Sequence, residues 1–451
     1  MVTTVVNDAR IADGASSQPA DGTGRHPRAG AAAVSVSCWL ALIAIAVVWG
    51  RHLLDRGVRL AIGAAPLSGR FGWRVSADAL IPVAFAATVV IVLPWIAARV
   101  AWVQLVALGG VLSIAWAAAL SRIDGSRALF SPFYSPAYLQ TAQTIHNPWV
   151  FLSQFVQRIH SYNSHARGHP PGMELLLWMT ARVGLSGVGW STFLAISGGA
   201  VAGAAALIVL REIADEHQAR TAAPFVVLAP AAIWWSSGDA FFAGVSACAV
   251  AAVVFATGRE GHKSDRQALL GGLLFGVTAF LSYGLVLLAL IPLGVAVSRR
   301  RLRPLVFAAF GVVPVFVAFR AAGFSWPAGL AATRTQYWLG AAGGRPYNYF
   351  LLGDLAAFAL AIGPAAAVAI GRLRDRRVWM VVGGALAAVV LADVSGMSKA
   401  EVERIWLPFV PWVLLATSAF AARRRPNDVR FWLGLQAASA VFIELAVRSP
   451  W

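Results

Sequence analysis

Apolar residues in this chain come in long runs broken by short polar stretches. Runs suited to helices lie near 33–50, 79–97, 102–120, 187–210, 222–238, 240–257, 268–283, 285–297, 304–322, 353–371, 378–394, 405–421 and 431–447. Most approach the roughly 20 residues a helix needs to cross about 30 Å of hydrocarbon. They are rich in Ala, Val, Leu, Gly and Phe, without the alternation of barrel strands. The pattern predicts an all-α, polytopic transmembrane helical bundle of about thirteen spans.

The polar interruptions carry a charge pattern. With the N-terminus inside, the cytoplasmic loops hold Arg99; Arg211 and Arg220; Arg259, Lys263 and Arg266; Arg299, Arg300, Arg301 and Arg303; Arg372, Arg374, Arg376 and Arg377; and Arg423, Arg424 and Arg425. Such an inside excess of basic residues is what membrane insertion favours. The 51–77 segment runs against it, because it puts Arg51, Arg56, Arg59, Arg70 and Arg74 outside. Residues 1–31 are polar and read as a disordered cytoplasmic tail ahead of a transmembrane domain at 32–451. Three regions fall outside: the long 121–186 loop, the 323–352 loop and the short 395–404 loop. Within the first, Gly172 to Leu185 is apolar but too short to cross. It is expected to lie along or dip into the outer leaflet, with Pro170 and Pro171 breaking any helix that would lead into it.

Composition narrows the class. The chain is 59% hydrophobic and 13% charged, which excludes an ordinary soluble domain and makes the lipid bilayer its first partner. A net charge of +17 would suggest nucleic acid on a soluble protein, but here the basic residues follow the loops, so no nucleic-acid partner is expected. Cys38 and Cys248 both lie in apolar runs and read as buried, unpaired thiols.

Chemistry-bearing residues concentrate in the external regions. The first loop holds four of the eight histidines, His146, His160, His165 and His169, together with Arg167, Tyr134, Tyr138, Trp149 and Tyr162. The histidine spacings match no compact zinc pattern and no cysteine accompanies them, so no metal site is expected. Hydrogen bonds to a phosphate or sugar suit them better. The aromatics could stack on sugar rings, or simply sit at the membrane interface. Asp124 follows a span at the membrane–water boundary, where a carboxylate is either a solvated cap or a general base. Asp239 stands at the outer end of another span and could orient an acceptor or assist the base. Arg404 begins a span on the side where positive charge is disfavoured. Either it pairs with Glu401 or Glu403, or its guanidinium holds a phosphate. Lys399 is one of two lysines in the chain. Arg345 and Tyr347, with Arg334, Tyr337 and Tyr349, mark the 323–352 loop as a solvated connector or a second surface for sugar and phosphate.

In order and spacing these features resemble the GT-C superfamily of integral membrane glycosyltransferases. The matching residues are the loop carboxylate Asp124, the His169-Pro170-Pro171 step before a short apolar helix, the Gly238-Asp239 pair, and Glu403-Arg404 followed by Pro408 and Pro411. They span roughly residues 120–420. The resemblance is greatest to actinobacterial enzymes that decorate lipoglycans, in particular the methylthioxylose transferase group. It implies a polyprenyl-phosphate sugar donor, a glycan or lipoglycan acceptor, a periplasm-facing site in the plasma membrane and inversion at the sugar carbon. It further implies Asp124 as base with Asp239 nearby, and Arg404, Lys399 and His169 at the donor phosphate. Substrate contacts would come from Tyr134, Tyr138, His165, Arg167, Glu403, Arg345 and Tyr347. Two departures are plain. The loop follows the third candidate span instead of the first, and Gly125 follows Asp124 where a Glu is common. No cofactor is implied, and with no paired acidic motif no obligatory divalent metal is expected. A transporter or flippase of a lipid-linked sugar, or a scaffold, would use the same binding groups without a base.

Overall fold

The computed structural model describes residues 27–134, 138–422 and 426–450. The side chain of Tyr134, the Arg423–Arg425 cluster and most of the 1–31 tail lie outside the described residues.

The fold is all-α, with one two-residue strand pair. Among the described residues, ten helical stretches are long and apolar enough to cross a membrane: Ala32–Asp55, Ala77–Ala97, Trp102–Asp124, Gly187–Ile213, Gly238–Thr257, Arg303–Ala321, Tyr347–Arg372, Arg376–Val394, Val402–Ala422 and Asn427–Ala446. Three of the thirteen expected spans are not among them, for identifiable reasons. The 222–238 run divides into a helix, Glu216–Val227, and a 3-10 turn, Pro230–Trp234, because Pro230 withholds a backbone donor and holds Ala229 extended (ψ 133°). The 268–283 run belongs to Gly261–Ala279, whose first turns carry His262, Lys263, Asp265 and Arg266. The 285–297 run lies in the shorter apolar stretch Tyr283–Ser298. The 222–238 run still links the two ends of the bundle. Arg377 at one end bonds the carbonyl of Ala214, while Asp239 at the other meets Arg404.

The basic loops gather at one end. There Arg220 bonds the Val100 carbonyl at 2.9 Å, and Arg299 bonds Thr257 at 3.1 Å. Segments 56–76, 122–186, 322–346 and 395–401 gather at the other. The 51–77 segment is sewn into that second end: Ser68 N–H donates to Glu403 at 2.9 Å, and Arg70–Phe71 pairs antiparallel with Val447–Arg448. Its arginines are therefore on the loop-rich side that the charge pattern disfavours.

Two details explain how the helices fit. Gly187–Ile213 crosses Gly238–Thr257 where Gly198 faces Gly244. A Cβ on either would collide with backbone, so the crossing depends on these small residues. Tyr347–Arg372 is kinked at Gly363 (φ 78°) before Pro364, which frees backbone groups in an apolar core. Gln436, fully buried on Pro426–Ala446, meets both. Its amide donates to Ile362 O at 2.9 Å and its carbonyl accepts from Ala365 N–H at 3.1 Å. Neither cysteine is fully buried as expected: Cys38 is exposed on its helix and Cys248 is partly covered.

Candidate active site

At the loop-rich end the segments enclose a cavity of about 530 Å³. Its floor is apolar, with Tyr283, Leu285, Leu287, Trp406 and Phe409, and its wall carries His165, Arg167, Arg345, Lys399, Glu401 and Arg404. These come from three distant parts of the sequence, the loop before the Pro-Pro step, the 323–352 loop and the 395–404 loop. His169 completes the lining, so six of the expected site residues meet here.

Their charges are not equally committed. Arg404 is buried and donates to Asp239 at 2.7 Å and to Glu401 at 2.6 Å. Asp239 is only 3% exposed, so it lies behind the wall as the partner of Arg404 rather than on an outer surface. Arg345 spends its donors on the carbonyls of Leu60 and Lys399, at 3.1 and 2.6 Å, with Glu401 at 3.8 Å. Lys399 donates to Arg345 O at 2.8 Å and sits 4.6 Å above the Trp338 ring. Burial, reinforced by Arg345, lowers its pKa. Arg167 makes no ion pair or side-chain hydrogen bond among the described residues. Four cations (Arg167, Arg345, Lys399 and Arg404) thus face two carboxylates (Glu401 and Asp239), leaving two positive charges in surplus.

Glu401 is the one carboxylate on the cavity wall among the described residues. Burial pushes its pKa up, but Arg404 and Arg345 more than offset this and hold it below the ordinary carboxylate value. Its backbone is left-handed (φ 62°), as is that of Ala400 (φ 69°). Two consecutive non-glycine residues in that region store strain, here held by the Ala400 N–H bond to Asp354 at 3.0 Å.

The histidines form the back wall. The Tyr138 hydroxyl and the His165 carbonyl lie 3.0 and 2.9 Å from His169 Nδ1. A carbonyl can only accept, which assigns the Nδ1–H tautomer. Nε2 then faces Asp239 at 4.0 Å. Burial lowers the pKa of His169, and burial with the nearby Arg404 takes His165 down to about 4, so both are neutral at neutral pH. Burial raises the Tyr138 hydroxyl well above its ordinary value and Tyr337 to about 12. The Tyr337 hydroxyl accepts from Lys399 N–H at 2.8 Å.

The other expected residues lie elsewhere. Asp124 is absent from the cavity wall and forms an ion pair with Arg74, which also reaches the carbonyls of Glu444 and Val447 at 2.5 Å. Glu403 is fully buried and faces Ser68. Tyr347 donates to Val394 O at 2.7 Å, outside the cavity. Among the described residues no three His, Cys, Asp or Glu side chains come together in a way that could hold a metal ion.

One residue stands out that sequence reasoning passed over. Glu174, in the first turn of Gly172–Arg182, is fully buried, and neither carboxyl oxygen has a hydrogen-bond partner from another of the described residues. Burial raises its pKa to about 8. A lone Glu in an apolar segment straight after a Pro-Pro step was the available signal.

No protein-family model and no curated protein matches the chain. Among solved structures, a similar one is the crystal structure of the Archaeoglobus fulgidus oligosaccharyltransferase complexed with zinc and sulfate. Its TM-score is 0.39 at 14% identity, over 75% of this chain. The match spans about half of that protein (53%), and at this level of likeness it carries no argument about activity.

Proposed function

We propose that the protein is a membrane glycosyltransferase of the GT-C type. It moves a sugar from a polyprenyl-phosphate donor to a cell-envelope glycan or lipoglycan on the periplasmic side, with inversion. The observation that carries the reading is the cavity: an apolar floor against the helices beneath a wall with two surplus positive charges. An apolar floor suits the first isoprene units of a donor, and a cationic wall suits its phosphate.

The chemistry follows. The acceptor oxygen attacks the anomeric carbon as the bond from that carbon to the phosphate oxygen breaks, and the acceptor proton passes to a carboxylate. The phosphate leaves with its charge held by Arg167, the uncommitted cation, while Arg345, Lys399 and Arg404 keep the surrounding potential positive. Glu401 is the base on this reading, because among the described residues it alone presents a carboxylate to the cavity. The family resemblance gives that role to Asp124, which would first have to leave Arg74.

The test is sugar transfer in nanodiscs from short-chain polyprenyl-phospho-sugars. Arg167→Ala and Glu401→Gln should each lower the rate by about 10²–10⁴-fold, Asp124→Asn by only a few-fold, and EDTA should leave the rate unchanged. Collapse with Asp124→Asn alone would move the base to Asp124. Donor binding without transfer, together with movement of the donor across liposomes, would replace the enzyme with a transporter.

A further inference from the structure

A second cavity, of about 450 Å³, lies further along the Gly172–Arg182 helix and shares no lining residue with the first. Its size falls within the range of about 300–1,000 Å³ usual for small-molecule sites. Its key residues are Gln143, His146, Trp178, Arg182, Ser186 and Trp190. We propose that this cavity is a carbohydrate-binding site, taking one or two neutral sugar rings of a glycan between the Trp178 and Trp190 indoles.

The chemistry of the lining selects the ligand. Two indoles in one cavity offer broad apolar faces to the C–H face of a sugar ring. Both are braced. The Arg182 guanidinium sits 5.0 Å from the Trp178 ring centre, and Trp190 stacks on Phe193 at 5.5 Å. Neither indole N–H has an acceptor among the described residues, and an unsatisfied buried donor costs about 1–3 kcal/mol. A small turn of either ring toward the cavity would give that N–H to a ligand hydroxyl. Gln143, His146 and Ser186 add groups that both donate and accept, as sugar hydroxyls require. Arg182 is the one full positive charge in the lining among the described residues; its face covers Trp178, and its edge N–H groups can donate to a sugar oxygen. An acyl chain is disfavoured by the polar side chains of Gln143, His146, Arg182, Ser186 and Ser191 around the two rings. If the protein is the transferase proposed above, this is where the acceptor glycan rests, but the binding itself does not depend on that reading.

The experiment is titration of the full-length protein in nanodiscs with mannobiose, maltotriose and arabinotriose, followed by indole fluorescence and calorimetry. Nanodiscs avoid maltoside detergents, whose head groups would compete. At least one sugar should bind saturably, with a Kd on the order of millimolar or tighter. Trp178→Ala and Trp190→Ala should each weaken it about tenfold or more, and Trp190→Phe less so. Unchanged thermal unfolding of the Phe variant separates lost contact from lost fold. The proposal falls if no sugar binds, if binding survives both Ala substitutions, or if inorganic phosphate competes for it. Sugar binding in a protein that transfers nothing would overturn the transferase alone.

Discussion

Replacing Arg404 by Met tests the electrostatic logic of the site most directly. Arg404 holds two carboxylates, and they are not equivalent. Asp239 is 3% exposed, its bond to Arg404 is 2.7 Å, and its other polar neighbour, His169, is held neutral by burial. Without Arg404 a buried carboxylate is left uncompensated, which costs about 3–5 kcal/mol. Glu401 has a side chain 29% exposed and keeps Arg345 at 3.8 Å, so solvent screening limits its share to under about 1 kcal/mol. The total loss expected for Arg404→Met is thus about 3–5 kcal/mol, nearly all of it through Asp239. Asp239→Asn in the same background removes the stranded charge and should recover at least about 2 kcal/mol. The assay is reversible unfolding of the four proteins in mixed micelles, read as a double-mutant cycle. Additive losses, or a single-substitution loss below about 1 kcal/mol, would refute the reasoning, because Asp239 would then have solvent or another partner.

Glu174 makes stability depend on pH. Its carboxyl stands near 4.5 when unfolded and about 8 when folded, so the folded state binds the proton more tightly. Stability is then greatest below 4.5 and falls as pH rises toward 8, by roughly 5 kcal/mol at most at about 1.4 kcal/mol per pH unit. Glu174→Gln should therefore raise the unfolding temperature at pH 8 and leave it nearly unchanged at pH 4.5; an equal effect at both would discard the account. Gln436→Leu should cost about 2–3 kcal/mol by stranding the Ile362 carbonyl and the Ala365 N–H, a loss readable in the same micelle titration. At the strained wall, Ala400→Gly should be neutral to stabilising by up to about 1 kcal/mol, whereas Ala400→Val should destabilise; thermal unfolding of the pair decides.

Much of the bundle was legible because its helices are apolar all round and end at charges. The 222–238 run, read as one span but divided before Pro230, shows where that signal fails. A single proline leaves such a run apolar overall, yet it removes a backbone donor. At the cavity, the residues that could be read were those whose charge contradicts their surroundings: Arg404 and Lys399 beside apolar segments, and His165 and Arg167 before the Pro-Pro step. What the sequence hid was partnership. Nothing local says that Arg404 reaches 165 residues back to Asp239, or that Arg74 takes Asp124. Such pairs arise only when distant helices arrive side by side. Glu174 was hidden for a different reason, since its segment reads as interfacial when its sequence neighbours alone are weighed.

The Gln436 contact bears on how the chain is assembled. Tyr347–Arg372 leaves the ribosome with an open carbonyl and an open amide at its bend, and the helix that answers them is made some seventy residues later. Until Pro426–Ala446 arrives, the bend has to borrow water or another partner, so the bundle stays wet at that point between the making of the two helices. The same late arrival brings Val447 to Phe71 and so fastens the 56–76 segment beneath Glu403. A ribosome stalled before residue 426 would thus present a chain with most of its membrane helices in place and an unfinished cavity, a state that quality-control proteases could recognise by its loose middle.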